Sequence, residues 1–274
     1  MSAFRFLKKG KIEYLESAAL AGCDFLVHAF CTRHEGVSGE GFGSLNFSTR
    51  TGDEPGKVSA NWGLLCAAFD ISPDRFRTVH QVHGDAIHAV DGSGCIPRSA
   101  AFPPEGELSC DAMITDRTGI ALGIKTADCV PIFLVDRMKQ AIGAVHAGWR
   151  GTAQGIAGKA VDALRESFSS RPEDVLVAIG PAIGPCCYEV DDTVFRAMPF
   201  ADGGAPFFRP GRKEGRWMLD LAAVNRRQLE EKGVPPANIS TAGLCTSCLP
   251  DMFFSHRRDG EKTGRHFNFL TLKT

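Results

Sequence analysis

The chain has 274 residues, with 31 Lys and Arg against 32 Asp and Glu for a formal net charge of −1, and 43% of its residues are hydrophobic. That balance excludes the basic surface that general nucleic-acid binding requires, and a chain of this length buries enough apolar surface to fold without disulfide staples. The ten cysteines are therefore read as metal ligands, reactive thiols or core residues, as in a reducing compartment.

At the N-terminus Lys8, Lys9 and Lys11 interrupt any apolar run, and Glu13 and Glu16 follow. No signal peptide is expected there, and a cytoplasmic location is. The apolar windows at 119–135 and 175–188 contain Lys125 and Asp128 or are too short and too rich in Pro and Gly to cross a bilayer, so no membrane partner is expected. Strands are predicted at 25–32, 77–83 and 86–90, then an exposed Gly, Ser and Pro-rich loop at 91–106, then strands at 112–115, 121–126, 132–135 and 141–146. A helix follows at 151–168, with Ile156, Ala160, Val161 and Leu164 on one stripe, then a strand at 175–179. The last helix is predicted at 219–232, with Leu221, Val224 and Leu229 inward, Asp220 at its positive end and Gly233 as its stop. Strands followed by alternating helix and strand indicate an α+β or layered α/β fold.

Four segments concentrate reactive side chains at strand ends: His80 to Gly84, Lys125 to Cys129, Val145 to Gly151, and Gly180 to Tyr188. If the ends carrying His83, Cys129 and His146 share one sheet edge, a thiolate and two imidazoles converge. Such a set fills three tetrahedral positions of Zn²⁺ and leaves the fourth open for catalysis. Cys129 and His146 also read as the nucleophile and base of a cysteine hydrolase. Asp128 would then orient the base, although neighbours in a strand point to opposite faces. Metal content separates the two readings.

Cys245 and Cys248 form a C-x-x-C pair without a second one, and Cys186 and Cys187 are adjacent, so a structural role or none is expected of them before a second metal site. The H-x-E and P-C-x-x-C signature of zinc deaminases is absent. Residues 151–160 lack the Walker spacing, and Ala160 stands where Ser or Thr belongs. The glycine-rich turn into a helix still offers N–H groups to an anion, with Arg150 beside it. Arg33, Arg257 and Arg258 are further anion candidates because a guanidinium donates two parallel hydrogen bonds. Asn46 offers an amide to a sugar hydroxyl or a base edge.

The segments FCTRHEGVS with SLNFS, TVHQVHGD, CDAMIT, KTADCVPIFLVD, AIGAVHAGWRGTAQGI, IGPAIGPCCYEV and CTSCLPDMFFSHRRDGEKTGRHFNF follow in order across 25–269. On them the chain resembles the YfiH-like family, the laccase-domain proteins once called polyphenol oxidases and now regarded as purine nucleoside phosphorylases. The resemblance implies zinc on His83, Cys129 and His146 and a single α/β/β/α domain over 1–274 with mixed sheets. It also implies purine nucleosides and phosphate as partners, and phosphorolysis of adenosine and inosine. Methylthioadenosine phosphorolysis and adenosine deamination are implied as further activities. Arg33, Asn46, Arg150 and Arg258 are the substrate contacts expected on this reading. Copper oxidation of phenols is a rival, although one Cys and two His lack the several coppers of four-electron oxygen chemistry, and a non-catalytic interaction protein is another. Three positions depart from the family pattern: Glu35 where glycine is common, Trp62 where arginine is frequent, and Cys110 where a small residue is usual. Because the Arg33 loop is expected to wall the pocket, Glu35 bears on substrate preference.

Overall fold

A computed structural model describes residues 3–91, 108–199 and 206–274, and the loop expected at 91–106 lies outside them apart from Asp91. The chain begins with β1 (Phe4–Lys9), β2 (Ile12–Ser17), β3 (Leu26–Cys31), α1 (Pro55–Phe69), β4 (Phe76–Arg77), β5 (Ile87–Ala89) and β6 (Ala112–Thr115). Next come β7 (Ala121–Thr126), β8 (Val130–Asp136), β9 (Ala141–Ala147), α2 (Trp149–Ala153), α3 (Ile156–Phe168) and β10 (Val175–Ile179). The last third holds β11 (Glu189–Asp191), α4 (Asp192–Ala197), β12 (Phe208–Pro210), β13 (Arg216–Leu219), α5 (Leu221–Glu231), β14 (Ile239–Thr241), α6 (His256–Asp259) and β15 (His266–Leu272).

Two mixed six-stranded sheets form, one ordered β1-β2-β3-β15-β7-β4 and the other β14-β10-β8-β9-β6-β5, beside a small sheet β11-β13-β12. Alternation along the strands builds three cores. In β8, Val130, Ile132 and Leu134 face α3 and α5, while Phe133 and Val135 face the first sheet. In β15, Leu270 and Leu272 face the second sheet, while Phe267 and Phe269 turn outward onto Trp62, Leu65 and Phe69 of α1. The order of layers is therefore helix, sheet, sheet, helix, as the resemblance implies. Strands covered on both faces read as continuous apolar runs, which is why VPIFLVD is buried throughout. At the centre of the seam between sheets, Phe30 and Phe133 stack with centroids 4.3 Å apart. No described helix is long and apolar enough to cross a membrane.

The prediction lacks β1, β2, β11 to β14, α4 and α6, and four further differences have an identifiable physical reason. The strand expected at 77–83 pairs only through Phe76–Arg77 and then leaves the sheet as a loop. The helix expected at 151–168 is two helices, α2 and α3, separated by Gly155 at φ 82°, a left-handed conformation suited to glycine. Helix α1 was not predicted: Gly56 and Gly63 weaken its propensity, and apolar residues occupy both sides of the Val58, Trp62, Leu65, Phe69 stripe. Strand β15 was missed because Asn268 and Thr271, both buried, interrupt its apolar pattern.

Candidate functional site

The loop that follows β4 is held from both sides. The Gln81 side chain takes the place of a strand partner for β7, donating from Nε2 to the Lys125 carbonyl at 2.8 Å and accepting from the Lys125 N–H at 2.8 Å. The next three N–H groups, of Val82, His83 and Gly84, donate to the carboxylate of Asp111 at 3.2, 3.0 and 2.7 Å. His83 occupies φ 60°, so the chain reverses at this residue. Asp111, fully buried just before β6, also accepts from His146 Nδ1–H at 2.8 Å, and its carbonyl accepts the His146 N–H at 2.8 Å. Burial alone raises the Asp111 carboxyl, but the bond from His146 and the loop N–H groups outweigh it and hold the group below the usual carboxylate range.

These contacts bring His83 and His146 to Cys129, which sits in the turn between β7 and β8. The ligand atoms of the three residues lie within 4.8 Å of one another, and the two imidazoles meet edge to face with centroids 4.9 Å apart. His146 is buried, Cys129 half-buried and His83 exposed, so the set opens toward solvent on the His83 side. Burial raises the Cys129 thiol, yet the charges and hydrogen bonds of His146 and His83 bring it down to about 6. His146 is lowered by burial but lifted further by Cys129 and Asp111, to about 9. The site thus favours a thiolate, the form that binds metal. Because Nδ1 of His146 is committed to Asp111, Nε2 is left as the ligand nitrogen, the carboxylate, histidine and metal arrangement that fixes a tautomer. The donor set suits a metal ion. Gly148 leaves room for it: a Cβ there would stand 2.9 Å from His83 Cδ2 and 3.3 Å from Cys129 Sγ.

Asp128, at φ 96°, does not orient His146. Its carboxylate accepts from Thr246 Oγ1 and from the Arg257 N–H, both at 2.6 Å, and so ties the turn before Cys129 to the C-terminal loops. The carboxylate with the orienting role is Asp111 of the CDAMIT segment, which no local pattern distinguishes because its partner His146 lies 35 residues further along the chain.

The three residues open on a cavity of about 520 Å³. Arg50, Lys125, Arg150, Arg257 and Arg265 line it. Arg150 lies over the Trp149 ring at 4.4 Å and Arg257 over Tyr188 at 5.0 Å, where Arg257 also donates to the Glu189 carbonyl at 2.7 Å, and both side chains line the cavity. The other expected substrate contacts turn elsewhere. Arg33 donates to the carbonyls of Gly43 at 2.6 Å and Pro250 at 2.8 Å and stacks on Phe254, outside the cavity lining. Arg258 donates to the carbonyls of Thr246 at 2.9 Å and Phe253 at 3.0 Å and pairs with Asp259. Asn46 is fully buried, donating to Asp53 at 2.9 Å and accepting the Arg265 N–H at 2.9 Å. The wall expected from the Arg33 loop is instead made by Ser48, Arg50 and Thr51. Arg50 and Arg265 are not among the residues the sequence singles out, and Lys125 enters only as the start of a reactive segment, because no local pattern separates them from surface cations.

The sequence profile of the family described as multi-copper polyphenol oxidoreductase laccase matches residues 27–273. The chain is 39% identical over 249 residues to a Geobacillus stearothermophilus protein named purine nucleoside phosphorylase YlmD, covering 89% of each. The crystal structure of YlmD from the same organism superposes with a TM-score of 0.88 at 36% identity over 100% of both chains. That of the Bacillus licheniformis hypothetical protein YfiH gives 0.86 at 35% identity, again over 100% of both.

Proposed function

The chain belongs to the laccase-domain family that includes YlmD and YfiH, and from that premise we propose that it is a zinc-dependent purine nucleoside phosphorylase acting on adenosine and inosine. The observation that carries the reading is a Cys and two His set opening on a cavity ringed by cationic side chains, in a chain whose net charge is −1. In phosphorolysis a phosphate oxygen bonds to C1′ of the ribose while the C1′–N bond to the purine breaks. The bonding pair goes to the purine nitrogen, which is then protonated. Negative charge thus enters with phosphate and leaves on the base, and a local concentration of positive charge serves both ends. Arg150 and Arg257, propped on Trp149 and Tyr188, present guanidinium groups to the phosphate. Asp111 and Gln81 keep His146 and His83 in place. When bound, Zn²⁺ supplies Lewis-acid charge beside the anionic reactant. Methylthioadenosine carries the same purine and ribose and enters the same proposal. The relative's name speaks of phosphorolysis alone and gives adenosine deamination no support.

The family's description as a multi-copper oxidoreductase points to copper instead. Four-electron reduction of oxygen needs several coppers close together, whereas among the described residues the ligands that cluster at this cavity are one Cys and two His, with His80 and His256 on its lining but outside the cluster, which favours a single zinc. A second reading rests on a specific observation: Asp111, His146 and Cys129 are linked in sequence like the members of a cysteine hydrolase triad. His83 has no place in such a triad, and it completes a metal set.

Purified chain with adenosine or inosine and phosphate is expected to release free base and ribose 1-phosphate. Cys129→Ala loses turnover and one equivalent of zinc, and Arg150→Ala raises the KM for phosphate about tenfold, for one charge-assisted contact of about 1.4 kcal/mol. Full turnover by metal-free protein overturns the zinc reading. Inactivation by thiol alkylation without metal dependence supports the hydrolase.

A further inference from the structure

We propose that Cys186, Cys187, Cys245 and Cys248 form a second, closed Zn²⁺ site that staples two loops behind the catalytic pocket. The sequence supplies one C-x-x-C pair and one adjacent pair about sixty residues apart; the fold joins them. All four sulfurs lie within 4.8 Å of one another. Cys248 Sγ is 3.4 Å from both Cys186 Sγ and Cys187 Sγ. Zinc-to-sulfur bonds of about 2.3 Å at tetrahedral angles place sulfurs about 3.8 Å apart, close to these distances. A sulfur equidistant from two others is a vertex around a common centre, whereas two disulfides would sort the four into pairs.

The backbone is shaped for the same centre. Gly184 N–H donates to Cys245 Sγ at 3.2 Å, and the Cys248 N–H also donates to that sulfur, so the C-x-x-C turn folds its own amide onto its first thiol. N–H donors of this kind stabilise negative sulfur. A Cβ on Gly184 would stand 3.2 Å from Cys245 Cβ and 3.3 Å from Cys186 Sγ, so only glycine leaves the sulfurs free to close in. The two loops already meet through a bridge between Ala182 and Cys245, in which Thr246 N–H donates to the Ala182 carbonyl at 3.0 Å. Four thiolates form a soft donor set that selects zinc or iron over hard cations, and four protein ligands leave no open position, which makes the site structural. Its place gives it a task. Ile183 and Tyr188, beside one pair of cysteines, line the catalytic cavity, and Thr246, between the other pair, holds Asp128 next to Cys129.

Metal analysis of the full chain purified from zinc-supplemented culture tests this. About two zinc ions per wild-type chain are expected, falling to about one in Cys129→Ala and to about one in the double variant Cys245→Ser, Cys248→Ser. In Cys129→Ala, whose four cysteines are untouched, X-ray absorption at the zinc edge should show only sulfur neighbours at about 2.3 Å. This measurement decides the matter even where the double variant does not fold. Cys129→Ala protein without zinc, a nitrogen or oxygen shell in that spectrum, or disulfides among the four cysteines by mass spectrometry would overturn the proposal. A wild-type chain holding a single, all-sulfur zinc that survives Cys129→Ala would support this site and sink the zinc at His83, Cys129 and His146.

Discussion

Among the described residues the charged partner of Asp111 is a histidine, and the carboxylate answers four donors at once. Asp111→Asn replaces an acceptor oxygen by an NH₂ group that faces N–H groups, and removes the charge that fixes His146. A 10- to 100-fold loss of zinc affinity is expected, the usual effect of losing a carboxylate behind a ligating histidine. Chelator competition measures it, and unchanged affinity would reduce Asp111 to a loop brace. Two histidines outside the site contribute to the response to acid. His28 Nε2 accepts the Ser17 N–H at 3.0 Å, and His266 Nε2 accepts the Phe254 N–H at 2.8 Å, so both are acceptors on that nitrogen and must stay neutral. Burial pushes His28 down to about 4 and His266 down to about 3 from an ordinary 6.5. The unfolded chain therefore takes up protons first as pH falls. This contribution to stability is complete above pH 6.5 and is lost progressively toward pH 3. At pH 5 each histidine costs about 2 kcal/mol. The thermal midpoint should drop between pH 7.5 and pH 5, and less so in His28→Gln; equal drops in both proteins would contradict the assignment. At the same scale, none of the three departures from the family pattern lines the cavity, although Cys110 adjoins Asp111. Trp62 packs against Phe47 and Phe267, Cys110 sits in the seam between the sheets, and Glu35 takes φ 65° and pairs with Lys8.

Among the elements, the turns at strand ends carry the site. The HAGWRG segment was legible as a strand entering a helix, and Gly148 shows why that turn cannot carry a side chain: Gly148→Ala places a Cβ 2.9 Å from His83 Cδ2. A loss of activity of at least about tenfold with a native circular dichroism spectrum is expected, since a 1 Å misplacement at a site costs up to about 10²-fold. A fully active variant would show that His83 has room to move. The loop before His83 was misread as a strand because TVHQV alternates as a strand does. Gln81 explains the error, since its side-chain amide makes the two bonds to Lys125 that a paired backbone would make. Helix α1 and strand β15 escaped notice for the reverse reason. Their apolar positions are real, but glycines in one and Asn268 and Thr271 in the other blur the period.

For the whole molecule, stability rests on the seam between the two sheets, where Phe30 and Phe133 are both fully buried. Phe30→Ala should cost about 3–5 kcal/mol, read as a lower urea midpoint with an unchanged slope; a shift under about 1 kcal/mol would mean that the seam closes over the gap. The seam also does what spacing along the chain cannot: it sets the ends of β7 and β9 beside the loop leaving β4, so that residues 83, 129 and 146 meet. By itself the sequence determined the α+β class, about half of the strands, the helical segments at 151–168 and 219–232, and which Cys and His deserved attention, because composition, period and turn chemistry are local properties. The tertiary structure alone decided that Asp111, not Asp128, orients His146, that Arg33, Asn46 and Arg258 brace loops while Arg50, Lys125 and Arg265 face the cavity, and that four scattered cysteines share a centre. Each of those is a matter of direction and distance between segments far apart in the chain. Directions are set by sheet register and by buried hydrogen bonds, which form only when the layers pack.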